Sequence, residues 1–161
     1  MKNQSGFTLI ELVAVIVLLG VLAVTALPRF VDLRGDARAG VLESVRASMQ
    51  SASVQIYAKA LMQDSLAAAD TVTDDGNTVA TVNGYPAASD PTNQDIADLI
   101  TIDGDANLIF QAVGGGSTTR LVGYNADGDT RVDDDGCYVT FTESTAAGTL
   151  PTIVVTDDTG C

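Results

Sequence analysis

Residues 7–27 read FTLIELVAVIVLLGVLAVTAL, and Glu11 is the only ionisable residue among them. A helix of this length measures roughly 30 Å, about the thickness of the hydrocarbon region of a bilayer. The stretch therefore predicts a membrane-spanning helix over residues 7–27. A cleavable secretory signal is the alternative, but such signals have an apolar run of about 7 to 15 residues, and this run is longer and contains a carboxylate.

After Pro28 the apolar pattern changes from continuous to periodic. Apolar residues then recur at intervals of three and four, which is typical of an amphipathic helix. They are Val41, Val45, Met49, Ala52, Ile56 and Ala60. We predict one long helix from Phe7 to Met62, weakened at Gly20 and at Pro28, where proline lacks a backbone donor.

Residues 64–106 are rich in Ala, Asp, Thr and Gly without a helical period, so we expect a long connection there. Within it, Thr92 and Asp95 have the spacing to cap a short helix that ends at Leu99. Short β-branched runs follow, separated by turn residues. The predicted strands are Leu108–Val113, Arg120–Tyr124, Tyr138–Thr142 and Thr152–Thr156. Two hairpins covered by the amphipathic part of the helix predict an α+β fold with an antiparallel sheet.

The composition of the 161 residues excludes several functions. Eight Lys and Arg against 21 Asp and Glu give a formal net charge of −13, which argues against a nucleic-acid partner. Residues 1–59 carry six basic and four acidic residues, whereas residues 60–161 carry two and 17. The chain has no His and two Cys, so zinc sites, His-based catalysis and Cys–His nucleophiles lack their residues. We expect no enzyme activity, no catalytic residues and no cofactor or metal.

The N-terminal motif Gly6-Phe7-Thr8-Leu9-Ile10-Glu11-Leu12, preceded by a short polar leader, resembles the processing site of type IV prepilins. In that family a prepilin peptidase cuts after the Gly, the next residue becomes the N-methylated terminus, and a Glu stands at the fifth mature position. These positions correspond here to Gly6, Phe7 and Glu11. The six-residue leader resembles the type IVa branch, and residues 26–33, ALPRFVDL, are similar to major pilins of the mannose-sensitive haemagglutinin (MSHA) type.

The resemblance implies the type IV pilin fold, in which a long N-terminal helix with a protruding hydrophobic half packs on a C-terminal antiparallel sheet. It divides the chain into a leader (1–6), a transmembrane and filament-core helix (7–28), an amphipathic helix (29–62) and a globular head (63–161). It also implies that the helix loosens at Gly20 and Pro28 in the filament, and that Cys137 and Cys161 form a disulfide. The implied function is the major subunit of an extracellular pilus for surface adhesion and biofilm formation.

The resemblance also implies partners. They are other copies of the chain in a helical homopolymer, the prepilin peptidase, the pilus assembly platform, minor pilins and, before assembly, the inner membrane with the N-terminus in the cytoplasm.

A charged side chain in a membrane helix costs about 2.5 to 3.5 kcal/mol, so Glu11 needs a partner that offsets this cost. The new amine on Phe7 has an ordinary pKa near 8 and is cationic at neutral pH. It can pair with Glu11 of its own helix or of a neighbouring copy, and a Glu11 that only snorkels to the headgroups is the remaining alternative.

Two other functions stay open at this point. A type II secretion pseudopilin shares the N-terminal motif but typically depends on calcium and lacks the disulfide, and a membrane-anchored periplasmic binding domain would leave the motif unexplained. Residues 125–136, NADGDTRVDDDG, alternate oxygen ligands as a calcium loop does. Their sixth position is Thr130 instead of Gly and the twelfth is Gly136 instead of Glu, which favours a solvated acidic turn over an EF-hand.

Overall fold

The structure, a computed structural model, describes residues 8–88, 90, 94–100, 102, 107–113, 117–125, 127–157 and 161, without the side chains of residues 26–33 and 157. Its first element is helix α1, Leu9–Gln63, whose 55 residues make it about 80 Å long. Thr8 is the N-cap, and Asp64 ends the helix in the left-handed conformation with φ 56°. The predicted long helix is confirmed from Leu9 onward, while Phe7 lies outside the described residues.

The second half of α1 buries one stripe of side chains. The buried residues of this stripe are Leu42, Val45, Met49, Ser53, Ile56 and Ala60. The predicted intervals of three and four are confirmed, but the stripe begins with Leu42, because Val41 is 39% exposed. Ser53 is compatible with burial because its hydroxyl donates to the carbonyl of Met49 at 2.8 Å, so its donor is satisfied.

A small sheet occupies residues 70–86, so the long connection predicted over residues 64–106 was wrong there. Its antiparallel strands, in the order β1-β2-β3, are β1 (Asp70–Asp74), β2 (Asn77–Val82) and β3 (Tyr85–Pro86). The two turns are Asp75-Gly76 and Asn83-Gly84, and all four residues have positive φ. Asp-Gly and Asn-Gly strongly favour a two-residue hairpin turn in which both residues have positive φ. The twist of such a turn matches that of the flanking strands. These dipeptides were the hairpin signal in a stretch with few large apolar residues.

Side-chain contacts attach this sheet to the last turns of α1. Tyr57 of the helix stacks on Tyr85 of β3 with the ring centroids 4.4 Å apart. Gln63 exchanges two hydrogen bonds of 2.9 Å with the backbone of Thr73 in β1. Burial raises the pKa of Tyr85, as expected for a phenol removed from water. The end of the helix and the small sheet therefore form one packed unit.

The second sheet contains the four strands predicted from the sequence. They are β4 (Leu108–Ala112), β5 (Thr119–Tyr124), β6 (Tyr138–Thr142) and β7 (Thr152–Asp157), antiparallel in the order β4-β5-β6-β7. The two predicted hairpins are confirmed and join through pairing of β5 with β6. At Gly123 these two strands approach so closely that a Cβ would lie 2.4 Å from the carbonyl oxygen of Cys137. Only glycine fits this position without moving the backbone.

The main core lies between α1 and the second sheet. Val122, Val139 and Phe141 of the sheet are fully buried in the same apolar cluster as Leu42 and Met49 of the helix. The amphipathic half of the helix therefore covers the apolar face of the sheet, as predicted. The fold is α+β, and a long N-terminal helix followed by an antiparallel sheet is consistent with the type IV pilin fold.

A buried ion pair holds the segment around Asp95. This carboxylate is 3% exposed, pairs with Arg120 of β5, and accepts the N–H of Ala97 at 2.8 Å. Residues 96–99 form a turn, so the helix predicted to end at Leu99 was wrong for the described residues. Thr92, its expected cap, lies outside them. A short Asp side chain bonds readily to the backbone two residues on, which favours a turn at Asp95 over a helix.

Candidate functional site

The first half of α1 carries an apolar surface that is exposed on all sides. Its twelve large apolar side chains between Leu9 and Val24 range from 44% exposed at Val13 to 79% at Leu9. Residues 9–25 form a helix roughly 26 Å long, with a lateral surface on the order of 800 Å², which equals one partner's share of a standard protein interface. An exposed apolar surface of this size marks an interaction with protein or membrane. We call it the exposed apolar half.

The predicted membrane span begins before the first described residue, and its last side chains lie outside the description. Phe7 lies outside the described residues, and so do the side chains of residues 26–27. Among the residues that the structure describes, no helix combines the length and the apolarity needed to cross a membrane. The span over residues 7–27 stays a prediction from the sequence.

Glu11 and Thr8 form a capping box at the start of α1. Glu11 Oε2 accepts hydrogen bonds from the Thr8 backbone N–H at 2.8 Å and from its hydroxyl at 2.7 Å, and Thr8 Oγ1 accepts the N–H of Glu11 at 3.4 Å. Sequence reasoning missed Thr8, although the spacing Thr-x-x-Glu is the signature of this motif. Gly6 and Phe7, the predicted cleavage pair, lie outside the described residues.

The helix runs through Gly20 and Pro28 without interruption in the isolated chain. A Cβ added at Gly20 would meet nothing within 4 Å, so this glycine is not required by packing within the chain. The helix is continuous at both positions, and its weakening there stays a prediction. The loosening that the resemblance implies there concerns the filament, and it stays a prediction.

The disulfide Cys137–Cys161 brings a distant residue to the middle of α1. Cys137 precedes β6 and is 1% exposed, and Cys161 packs against the main core. The backbone carbonyl of Cys161 accepts a hydrogen bond from Arg38 of the helix at 3.4 Å. Sequence reasoning missed Arg38, because nothing in the spacing of the chain links it to either cysteine.

The acidic loop, residues 125–136, is organised by its own side chains. Arg131 pairs with Asp133, whose carboxylate also accepts a hydrogen bond from Gln111 at 2.9 Å. Arg131 first and then Gln111 lower the pKa of Asp133 to about 2. Val132 of this loop is fully buried. Among the described residues no group of three or more His, Cys, Asp or Glu side chains is arranged to hold a metal ion.

Comparison with known proteins finds similarity over parts of the chain. A family model described as the prokaryotic N-terminal methylation motif matches residues 1–27. Over 61 residues the chain is 44% identical to the type IV narrow pilus major component PilA5 of Thermus thermophilus, and the match covers 38% of this chain and 49% of that protein. It thus spans about half the length of this curated relative. No solved structure matches the chain.

Proposed function

We propose that this chain is the major structural subunit of an extracellular type IV pilus. The observation that carries the proposal is the exposed apolar half of α1, which starts inside the N-terminal methylation motif that matches residues 1–27. Twelve large apolar side chains on all faces of a helix need a partner outside the subunit, because exposing them to water is costly. A fibre whose centre is a bundle of these helices buries them all.

The same surface suits two environments in succession. Before assembly the exposed apolar half lies in the inner membrane, with the N-terminus in the cytoplasm. Small residues such as Ala14, Gly20 and Ala23 allow helices to approach closely, both in lipid and in a protein bundle. The subunit can therefore move from membrane to fibre with little change in apolar burial.

Processing supplies the polar contact that sets the register. We propose that a prepilin peptidase cuts between Gly6 and Phe7 and that the new amine of Phe7 becomes methylated. Both hydrogen bonds that Thr8 donates to Glu11 end on Oε2, and Oε1 accepts none among the described residues. The amine of an adjacent copy can therefore bind Oε1 without displacing Thr8. This pairing offsets the cost of a carboxylate in an apolar helix.

The remaining parts of the proposal rest on the resemblance of the sequence to type IVa pilins of the MSHA type. They are the role of the pilus in surface adhesion and biofilm formation, and assembly by a platform together with minor pilins. The Cys137–Cys161 disulfide favours a pilin over a pseudopilin that depends on calcium. The acidic loop also favours a pilin over a calcium-dependent pseudopilin, since the side chain of Arg131 already supplies a cation there.

The first experiment measures the intact mass of the subunit in fibres sheared from cells. We expect a chain that starts at Phe7 and carries one additional methyl group on its amine. A chain that starts near Leu27 would identify a cleaved secretory signal and would overturn the proposal.

The second experiment separates the two contacts of Glu11. In cells where the variant is the only subunit, Glu11→Leu should abolish fibres while the protein still enters the membrane, because the intersubunit ion pair is lost. Thr8→Val is the matched control, since it removes the hydroxyl of the capping box but keeps the carboxylate and should leave fibre number nearly unchanged. Equal loss of fibres in both variants would assign Glu11 to helix capping alone, and normal fibres with Glu11→Leu would refute the pairing.

A further inference from the structure

Arg38 stands at the point where α1 leaves the head. Its guanidinium lies 5.0 Å from the ring centroid of Tyr124 in β5, within the range of a cation–π contact. Its Nη1 also donates to the backbone carbonyl of Cys161. One side chain of the helix therefore contacts both the second sheet and a residue that follows the last strand.

Cys161 lies directly on the helix surface. A Cβ built on Gly35 would be 3.4 Å from the carbonyl carbon of Cys161, which is ordinary van der Waals contact. The disulfide to Cys137 is the covalent bond that keeps Cys161 in this place. Its hydrogen bond with Arg38 is long, at 3.4 Å, so this contact alone holds Cys161 weakly.

Residues 34–41 of α1 have no buried side chain of their own. The buried stripe starts at Leu42, so apolar packing holds the helix to the head from that residue onward. N-terminal to Leu42, Arg38 contacts Tyr124 and Cys161, and Gly35 lies beside the backbone of Cys161. The two segments of the helix are therefore attached by different means.

We infer that Arg38, Tyr124 and the disulfide-bonded Cys161 form a latch that fastens residues 34–41 of α1 to the head, and that the latch closes only while Cys137 and Cys161 are bonded. A dithiol reductant opens it by converting the disulfide to two thiols, while the reductant becomes its own disulfide. The helix then separates from the head at Leu42 instead of near residue 34, about 12 Å further along its axis. The inference does not depend on the proposed function.

Backbone hydrogen exchange of the full-length chain in detergent micelles tests the latch. Arg38→Ala is compared in two backgrounds, the disulfide-bonded protein and the Cys137→Ser/Cys161→Ser variant. In the bonded protein Arg38→Ala should raise exchange at residues 34–41 about five- to tenfold, because it removes a cation–π contact together with a weak hydrogen bond, and should leave residues 49–60 unchanged. In the variant without the disulfide, Arg38→Ala should add less than about twofold, because coupled residues show non-additive effects.

Arg46→Ala is the matched control, because Arg46 pairs with Glu43 on the same helix. It should not change exchange at residues 34–41 in either background. Equal effects of Arg38→Ala with and without the disulfide would overturn the latch, because Arg38 would then act independently of Cys161. If the double Ser variant does not fold, the bonded protein decides: no selective rise at residues 34–41 with Arg38→Ala also overturns the latch.

Discussion

The two halves of α1 are alike in helical geometry and opposite in what their apolar side chains contact. In the first half apolar residues occupy almost every position, and Leu18 is 64% exposed. In the second half they recur every three or four positions, and Leu42 is fully buried against the second sheet. A stripe on one face lets a helix pack on a sheet of its own chain, whereas an apolar surface on every face needs neighbours on every side. The second half therefore builds the packed head, and the first half stays exposed and available for the assembly that we propose.

The largest expected effect concerns the ion pair between Arg120 and the buried Asp95 in the head. Arg120→Ala should lower the free energy of unfolding by about 3 to 5 kcal/mol, because the buried Asp95 carboxylate would lose the positive charge that balances it. Urea unfolding followed by circular dichroism measures the loss. Arg131→Ala is the control, since its ion pairs are exposed to water and screened by it, so its loss should be much smaller. Equal losses in the two variants would contradict the structural role of the Asp95–Arg120 pair.

One substitution made in each half tests the comparison directly. Leu42→Ala should cost about 2 to 5 kcal/mol of unfolding free energy, because it leaves a cavity in the main core. Leu18→Ala should change the stability of the isolated subunit by less than about 0.5 kcal/mol, since its side chain is exposed. The same unfolding measurement serves both variants. A large loss with Leu18→Ala would mean that the first half contributes to the fold of the subunit.

Substitutions of two glycines, one in a turn of the small sheet and one in the helix, should change stability in opposite directions. Gly76→Ala should destabilise the head by about 1 to 2 kcal/mol, because its φ of +87° disfavours any side chain. Gly40→Ala should stabilise it by about 0.5 to 1 kcal/mol, because an exposed helical position with nothing within 4 Å gains helix propensity. Thermal unfolding of the two variants measures the opposite signs. A stabilising Gly76→Ala would contradict the turn at Asp75-Gly76.

The smallest expected effect concerns the acidic loop. The pKa of Asp133 is about 2, below its ordinary value of 3.8, so its pairing with Arg131 contributes stability above pH 3.8 and loses it as the pH falls toward 2. Arg131→Gln should raise the pKa toward 3.8, and Gln111→Ala should raise it less, because Arg131 is the larger cause. The ¹³C shift of the Asp133 carboxyl, followed by NMR against pH, measures it. A pKa that is unchanged by Arg131→Gln would contradict the pairing.

The success of the sequence predictions depended on where the apolar residues lie. The second sheet was predicted strand by strand because its short β-branched runs, such as residues 120–124, stand between turn residues. The small sheet of strands β1 to β3 was missed because it has few large apolar residues. Among the described residues, Val72 and Val79 are its only large, fully buried aliphatic residues, and Thr, Ala and Asp fill most of the other positions. Its two turn dipeptides carried the information, and weighing them above composition would have placed the strands.

The contacts of the candidate site also differ in how far they could be predicted from the sequence. The Thr8–Glu11 capping box was missed, although it joins residues three apart and spacing alone would have been sufficient to find it. The Arg38 contacts join the helix to Tyr124 and Cys161, which are far away in sequence. Nothing local marks such a contact, and only the packed structure brings the three residues together.

By itself the sequence determined the long helix, its division into an apolar and an amphipathic half, the four strands of the second sheet and the motif at Gly6, Phe7 and Glu11. These features follow from local spacing, because helix and strand periods are properties of adjacent residues. Only the tertiary structure decided that the stripe starts at Leu42, that Asp95 is buried against Arg120, and that Cys161 rests on the helix beside Arg38. Each of these depends on how two distant segments pack, and packing is set by the shape and charge of both surfaces together.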